Sequence, residues 1–338
     1  MSKQVTMRDI ARELNISAVS VSKAISGKEG VSDEVREKII AKANEMGYEY
    51  SQSKELKAPH FNIGVIVSRA YISDNAFYSK LFQNIAMEFG KEGHSCTLMI
   101  LSRRDEEEAN LPLAVYQKEV DGLVVLGPLN EKTMNRVLRI DIATVFVDNY
   151  TAEANMDCVV SDNLYGSHML TNYLIEKGHK RIAFVGSVTQ THSIMDRYLG
   201  YIKSLMLNNR PILSEYVLED RDSKGLFEKI KMPDIMPDAF VCNCDEVALR
   251  LIEQLKSMGK RVPEDISVVG FDDYIFAMAS TPKLTTFRVD MDQMSKCAVK
   301  IMEEKLKGAK ESSGRRVISG EIVIRDSVSN KRKQAKDF

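Results

Sequence analysis

MRDIARELNISAVSVSKAISGKEGVSDEVREKIIAKANEMGY, residues 7–48, decides how this chain is read. Met7, Ile10, Ala11 and Leu14 recur at i, i+3, i+4 and i+7, one face of a helix. Thr6 precedes that run and is placed to cap it through its hydroxyl. Asn15-Ile16 makes a turn, and Ser17 caps a second run with Val21, Ala24 and Ile25 inward. Residues 26–30 (SGKEG) stop it. Ser32 opens a third helix, with Asp33 and Glu34 in the first turn, where the helix dipole favours anions. Val35, Ile39, Ile40, Ala43 and Met46 form its apolar stripe and Gly47 ends it. Two short helices joined by a tight turn, then a third, is the helix-turn-helix arrangement.

In the second helix Ala18, Val19, Ser20, Ser22 and Lys23 face outward. Small residues at its start let the backbone approach base edges. Ala and Val touch thymine methyls, Ser bonds phosphate, and Lys reaches a guanine edge or a phosphate. A three-helix bundle that binds protein is the alternative. An exposed Ser/Ala/Val surface beside Lys23 is poor material for the core of a protein interface.

Beyond Tyr48 the chain is polar to about His60 and reads as a linker, with a brief helix from Ser51 to Leu56. From Phe61 strands and helices alternate. The strands are expected at 62–67, 96–101, 122–126, 143–147, 158–161, 181–185, 239–242 and 267–270. The amphipathic helices are expected at 77–91, 164–177, 198–207, 246–258 and 291–307, with a last strand at 320–325. Short continuous apolar strands between helices imply parallel sheets covered on both faces. Eight or so strands over about 210 residues exceed one compact unit, which predicts two lobes.

Residues 7–48 resemble the DNA-binding segment of the LacI/GalR family of bacterial transcription regulators. The resemblance continues through GHKRIAFVGS (178–187), RYLGY (197–201), VPEDISVVGFDD (262–273), PKLTTF (282–287) and the closing strand with Arg325 and Ser327, all in the family's order. It implies an α/β fold: an all-α helix-turn-helix headpiece plus a two-lobed, periplasmic-binding-protein-like (type I) effector domain with parallel sheets. The expected domains are 1–50 for DNA binding, 51–60 for the hinge and 61–338 for effector binding and dimerisation. The N-lobe would take about 61–160 and 290–319, and the C-lobe about 161–289 and 320–330. Ala18, Val19 and Lys23 match the family's base-reading positions; Thr6, Met7, Ser17, Ser20 and Ser22 lie near its phosphate contacts. Ala18 and Val19 offer no hydrogen bonds, so reading there would rest on methyl contact and shape. The hinge departs from the family pattern: Glu49-Tyr50 follows Gly47-Tyr48 where the family has Pro-Asn, and Leu56 comes one residue early. Leu56 is the candidate minor-groove wedge, with a disordered linker as the other reading.

An effector would lie between the lobes, at the carboxyl ends of parallel strands. Polar residues follow the strands there: Asp74, Asn75, Asp148, Ser187, Arg197, Cys244, Asp245, Asp272 and Asp273, with Phe77 beside the first strand. Carboxylates with an Arg suit hydroxyl-rich ligands, and a flat Phe suits stacking on a ring. The resemblance implies Phe77, Asp148, Arg197 and Asp272 as effector contacts. Cys244 stands where the family commonly has Asn, which removes a two-way hydrogen-bonding group. Ordinary architecture is the other reading for each. Asp245 and Asp273 suit helix caps, Phe77 suits core, and Asp148 and Arg197 suit a pair without ligand.

Composition bounds the rest. The 338 residues carry 47 Lys/Arg against 48 Asp/Glu, a net charge of −1, with 44% hydrophobic and 28% charged residues. That excludes a largely disordered chain. No apolar run approaches the roughly 18–20 residues of a membrane span. The N-terminus lacks the apolar core of a secretory signal, so a cytoplasmic protein is expected. Five scattered cysteines predict neither a disulfide framework nor a zinc site. The histidines show no metal spacing, no phosphate-binding Gly motif occurs, and no nucleophile–base pair stands out, so no cofactor and no enzyme activity are expected. Residues 1–28 hold five Lys/Arg against two Asp/Glu, a local +3 inside a neutral chain.

The function expected is sequence-specific regulation of transcription, most simply repression. A homodimer, with a tetramer left open, would bind near-palindromic operator DNA. A small molecule in the cleft, a carbohydrate by family frequency, would control it by changing the spacing of the two headpieces. The rivals are a cytosolic sugar-binding protein of the same two-lobed fold and a cleft enzyme.

Overall fold

The computed structural model describes residues 5–25, 30–46, 48, 59–72, 76–151, 156–222, 225–309, 312 and 314–334. They fall into two compact units, Met1–Pro59 and His60–Phe338. The expected hinge helix at 51–56, with Leu56, and the cleft candidates Asp74 and Asn75 lie outside the described residues.

The described residues of the first unit form three helices: α1 (Met7–Glu13), α2 (Ala18–Ile25) and α3 (Asp33–Glu45). Thr6 starts α1 through Asp9. The Asp9 carboxylate accepts from the Thr6 backbone N–H at 2.9 Å and from its hydroxyl at 2.6 Å, a reciprocal closure in place of a simple hydroxyl cap. Asn15 takes the left-handed conformation (φ 51°) that turns the chain into α2. Ser17 caps α2 by accepting from the Ser20 N–H at 3.0 Å. The core is Ile10, Ala11, Val21, Ala24, Ile39 and Ala43. Val35 and Ile40, expected in the stripe of α3, are instead 38% and 43% exposed. A core this small covers only the Ile39–Ala43 row of α3. Arg36 ties α3 to the end of α2, donating to the Ala24 carbonyl at 3.1 Å.

The second unit holds β1 (Asn62–Ser68), β2 (Ser95–Leu101), β3 (Gly122–Leu126), β4 (Ala143–Val147), β5 (Cys158–Ser161), β6 (Ile182–Val185), β7 (Val217–Leu218), β8 (Ala239–Cys242), β9 (Ser267–Val269), β10 (Thr286–Arg288), β11 (Arg315–Ile318) and β12 (Glu321–Val323). One sheet has six strands in the order β11-β5-β4-β3-β1-β2, and another has four in the order β7-β6-β8-β9. Every pairing within both sheets is parallel. The inner strands are buried along nearly their whole length, as parallel strands under helices on both faces must be. β10 and β12 form a separate antiparallel pair.

Three strands escape the sequence pattern for visible reasons. β7 has two residues, β10 ends in the exposed Arg288, and β11 (Arg-Arg-Val-Ile) is an edge strand with three exposed residues. The expected last strand is shorter, Glu321–Val323. The helix His192–Leu207 starts six residues before the expected 198, because Thr191 caps it by accepting from the Ile194 N–H at 3.1 Å. Among the described residues all five cysteines are free, and no helix is long and apolar enough to cross a membrane.

Candidate functional site

Two surfaces carry the chemistry, one in each unit. In the first, Ser17, Ala18, Val19, Ser22 and Lys23 are exposed along α2, with Val19 65% exposed. Thr6 is exposed, while Met7 and Ser20 are half-buried. The Ser17 and Ser20 hydroxyls lie 2.8 Å apart and bond each other. The exposed row therefore presents methyls at Ala18 and Val19, a hydroxyl at Ser22 and a cation at Lys23.

The second surface is the cleft at the carboxyl ends of β1, β4, β6, β8 and β9. Phe77, Asp148, Arg197, Cys244 and Asp272 all line one cavity of about 50 Å³. Asp148 follows β4 directly and holds φ 55°; Asp272 follows β9 and holds φ 111°. Both are backbone conformations that non-glycine residues seldom adopt. Phe77 meets Tyr78 edge-on, ring centres 5.3 Å apart, and also packs into the core, so both readings of it hold. The Tyr78 hydroxyl donates to Asp148 at 2.7 Å.

Arg197 is the hub. Its Nε donates to Asn163 Oδ1 at 2.8 Å, its Nη1 to the Asn243 carbonyl, and its Nη2 lies 3.2 Å from Asp272 Oδ1. Its guanidinium sits 3.8 Å over the Phe271 ring. The expected pair of Asp148 with Arg197 is thus not a direct bond; Arg197 pairs with Asp272. Burial pushes both carboxyls up, against the pull of Arg197 and, at Asp148, of the Tyr78 hydroxyl. Asp272 reaches about 7, with the charge of Asp148 adding to the rise. Burial pushes the Cys244 thiol up to about 12, so it stays protonated and is no nucleophile at neutral pH.

The other polar residues that follow strands serve architecture. Ser187 joins the β6 and β7 loops, its N–H donating to Asp220 at 2.7 Å. Asp245 is no cap, since Cys244 holds that position. It accepts from the Thr286 hydroxyl at 2.6 Å and the Tyr274 N–H at 3.1 Å. Asp273 clamps the crossing strands, accepting from Arg288 at 2.7 Å and Arg325 at 2.6 Å. Tyr71, Tyr78, Arg221 and Asn243 also line the cavity, beyond the expected set.

A volume near 50 Å³ is far below the roughly 300–1,000 Å³ of ligand pockets. Inside it Tyr78 is bonded to Asp148, and Arg197 to Asp272 and the Asn243 carbonyl. Across the cleft, the Tyr150 hydroxyl donates to Asp196 at 2.9 Å and Arg315 pairs with the same carboxylate at 3.2 Å. Residue 150 follows β4 and residue 315 opens β11, both in the six-stranded sheet, whereas Asp196 belongs to His192–Leu207, packed on the other lobe. This is a shut cleft with its own latch.

Residues 6–51 match the family model described as bacterial regulatory proteins, lacI family, and residues 171–328 match the periplasmic binding protein-like domain. The chain is 27% identical over 336 residues to the HTH-type transcriptional repressor PurR of Vibrio vulnificus, covering 96% of this chain and 98% of that protein. A structure of the Lac repressor dimer bound to operator and the anti-inducer ONPF matches with a TM-score of 0.70 at 22% identity, over 97% of this chain and 100% of that one. A complex of the transcriptional regulator CelR with cellobiose matches with a TM-score of 0.68 at 21% identity, over 96% and 100%. At these identities the structural likeness is a likeness of fold.

Proposed function

The chain joins a LacI-family helix-turn-helix domain to a periplasmic-binding-protein-like domain, and from that premise we infer a sequence-specific DNA-binding regulator of transcription. The observation that carries the reading is the exposed row of α2. A Val left 65% exposed beside Ala18 and Lys23, on a helix whose other face fills the core, suits contact with thymine methyls and phosphate. The relatives are repressors rather than enzymes, and repression in the cytoplasm is the reading they support.

The effector is a small hydroxylated molecule, a carbohydrate or a carbohydrate-bearing compound. It would replace the internal partners of Arg197, Asp148 and Asp272, with Phe77 against its ring and Cys244 as an uncharged wall. Opening the latch at Asp196 would admit it. The ligand shifts operator affinity only by its differential affinity for the open and shut arrangements. A homodimer on a near-palindromic site matches two α2 rows to two half-sites about one helical turn apart.

Fluorescence anisotropy of the full chain on a labelled palindromic promoter fragment tests the reading. Saturable binding that weakens steeply with salt is expected. No binding at low salt overturns it.

A further inference from the structure

The cavity between the lobes holds an uneven set of charges. Asp148 enters it from the end of β4 in the six-stranded sheet, and Asp272 from the end of β9 in the four-stranded sheet. Arg197, on the helix His192–Leu207, pairs with Asp272 at 3.2 Å. Asp148 is 7% exposed; its carboxylate accepts from the Tyr78 hydroxyl and has no ion pair among the described residues.

The other charges packed around this trio are already answered. Arg221, on the same wall, is bound to Asp220 at 3.1 Å. Asp196, on the helix of Arg197, is bound to Arg315 at 3.2 Å. Asp273 is held by Arg288 and Arg325. Asp245 is 1% exposed and bonded to Thr286 and Tyr274 of its own lobe, partners that stay with it when the lobes part. The His192 ring packs on Tyr150 and does not line the cavity. Burial pushes Tyr71, Tyr78 and Cys244 up, so these three lining groups keep their protons and carry no charge near neutral pH.

What remains is two carboxylates and one guanidinium around a space of about 50 Å³, room for roughly one or two waters. Fully ionised, the trio carries a net −1 that so little water cannot hydrate. Two carboxylates that share one cation in such a place favour a proton on one of them. Burial accordingly raises both carboxyls in this arrangement. When the lobes part, Asp148 withdraws from the opposite wall and both groups meet water, where a carboxyl ionises near its ordinary value of about 4.

We propose that shutting the cleft takes up one proton. It sits on a carboxyl oxygen of Asp148 or Asp272, brings the trio to zero charge, and returns to solvent when the lobes part. Acid therefore holds the empty cleft shut and alkali releases it. A group raised in the shut arrangement stabilises that arrangement fully below its open value, and ceases to as pH rises through its shut value. Any bearing on operator affinity rests on the regulatory reading above; the proton uptake itself does not.

Hydrogen exchange of the full chain without DNA or effector tests it. The readout, by mass spectrometry at pH 5 and pH 8, is protection relative to an unstructured peptide at the same pH. Segments 145–151 and 192–198 are expected to exchange faster than the inner strand 122–126, and to lose about tenfold or more of their protection from pH 5 to pH 8. Asp148→Asn keeps an acceptor for Tyr78 and a residue type that tolerates the φ of 55°, and should cut that loss to about twofold or less. Equal protection at the two pH values, cleft segments that exchange no faster than 122–126, or a loss undiminished in both Asp148→Asn and Asp272→Asn overturns the proposal. The wild-type comparison decides even if a variant fails to fold. Absence of operator binding would sink the regulatory reading and leave this measurement standing.

Discussion

Asp272 stands at φ 111° with its side chain only 15% exposed, and it is the point where strain, burial and charge meet. Its carboxyl is raised from 3.8 to about 7, so the folded chain holds a proton that the unfolded chain releases. Stability from this group is full below pH 4 and is lost as pH rises towards and through 7. The melting temperature of the unliganded protein should therefore fall between pH 5 and pH 8, and Asp272→Asn should flatten that slope; an identical slope in the variant would remove Asp272 as its source. At the other surface, Lys23→Ala should weaken operator binding by more than tenfold, read by anisotropy, and lower the salt slope by about 1 if Lys23 meets a phosphate. Asp148, Cys244 and Asp272 were legible in the sequence because polar residues just past apolar strands stand out, whereas Phe77 and Arg197 rested on the family resemblance. Tyr71 and Tyr78 were not, since a tyrosine in an apolar pattern reads as core. Arg221 follows a strand of two residues, too short to leave a pattern, and the Asn243 contact to Arg197 runs through its backbone carbonyl.

At the scale of elements, the helix pair Asn163–Glu176 and His192–Leu207 carries Arg197 and sets the floor of the cleft. The two lie close together at Gly200, where an added Cβ would lie 2.2 Å from the Leu164 carbonyl oxygen. In an exposed helix Gly→Ala stabilises by about 0.5–1 kcal/mol. Here the clash reverses the sign, and Gly200→Ala should cost about 1–3 kcal/mol by thermal or urea denaturation. A neutral or stabilising result would show that the helices separate freely. The long helices and inner strands were legible from periodicity and apolar runs. β10 and β11 were not, because their partners come from distant parts of the chain and their residues are largely polar or exposed. Leu56 falls outside the described residues, and DNA bending tests it: Leu56→Ala should reduce the bend angle, and an unaltered angle would refute the wedge.

Across the whole second unit, the lobes share one apolar core and a polar latch. Ile63 and Phe89 from one side and Phe184 and Tyr201 from the other belong to the same cluster. Asp196 gathers Tyr150 and Arg315 across the cleft. Asp196→Ala should raise hydrogen exchange at residues 145–151 and 192–198 in the unliganded protein, measured by mass spectrometry; unchanged exchange would mean that the shared core alone keeps the lobes shut. β11, from residues 315–318, pairs with β5 at the edge of a sheet whose other strands lie between residues 62 and 161. On the ribosome, the first lobe to be made stays one strand short, with the β5 edge bare, until residues 315–318 have been added. The helix-turn-helix unit needs only its own first fifty residues. Synthesis therefore delivers a folded three-helix head well before the second unit can close. A nascent or truncated chain ending near residue 310 would carry that head together with an open sheet edge, the part of the molecule most exposed to misassociation.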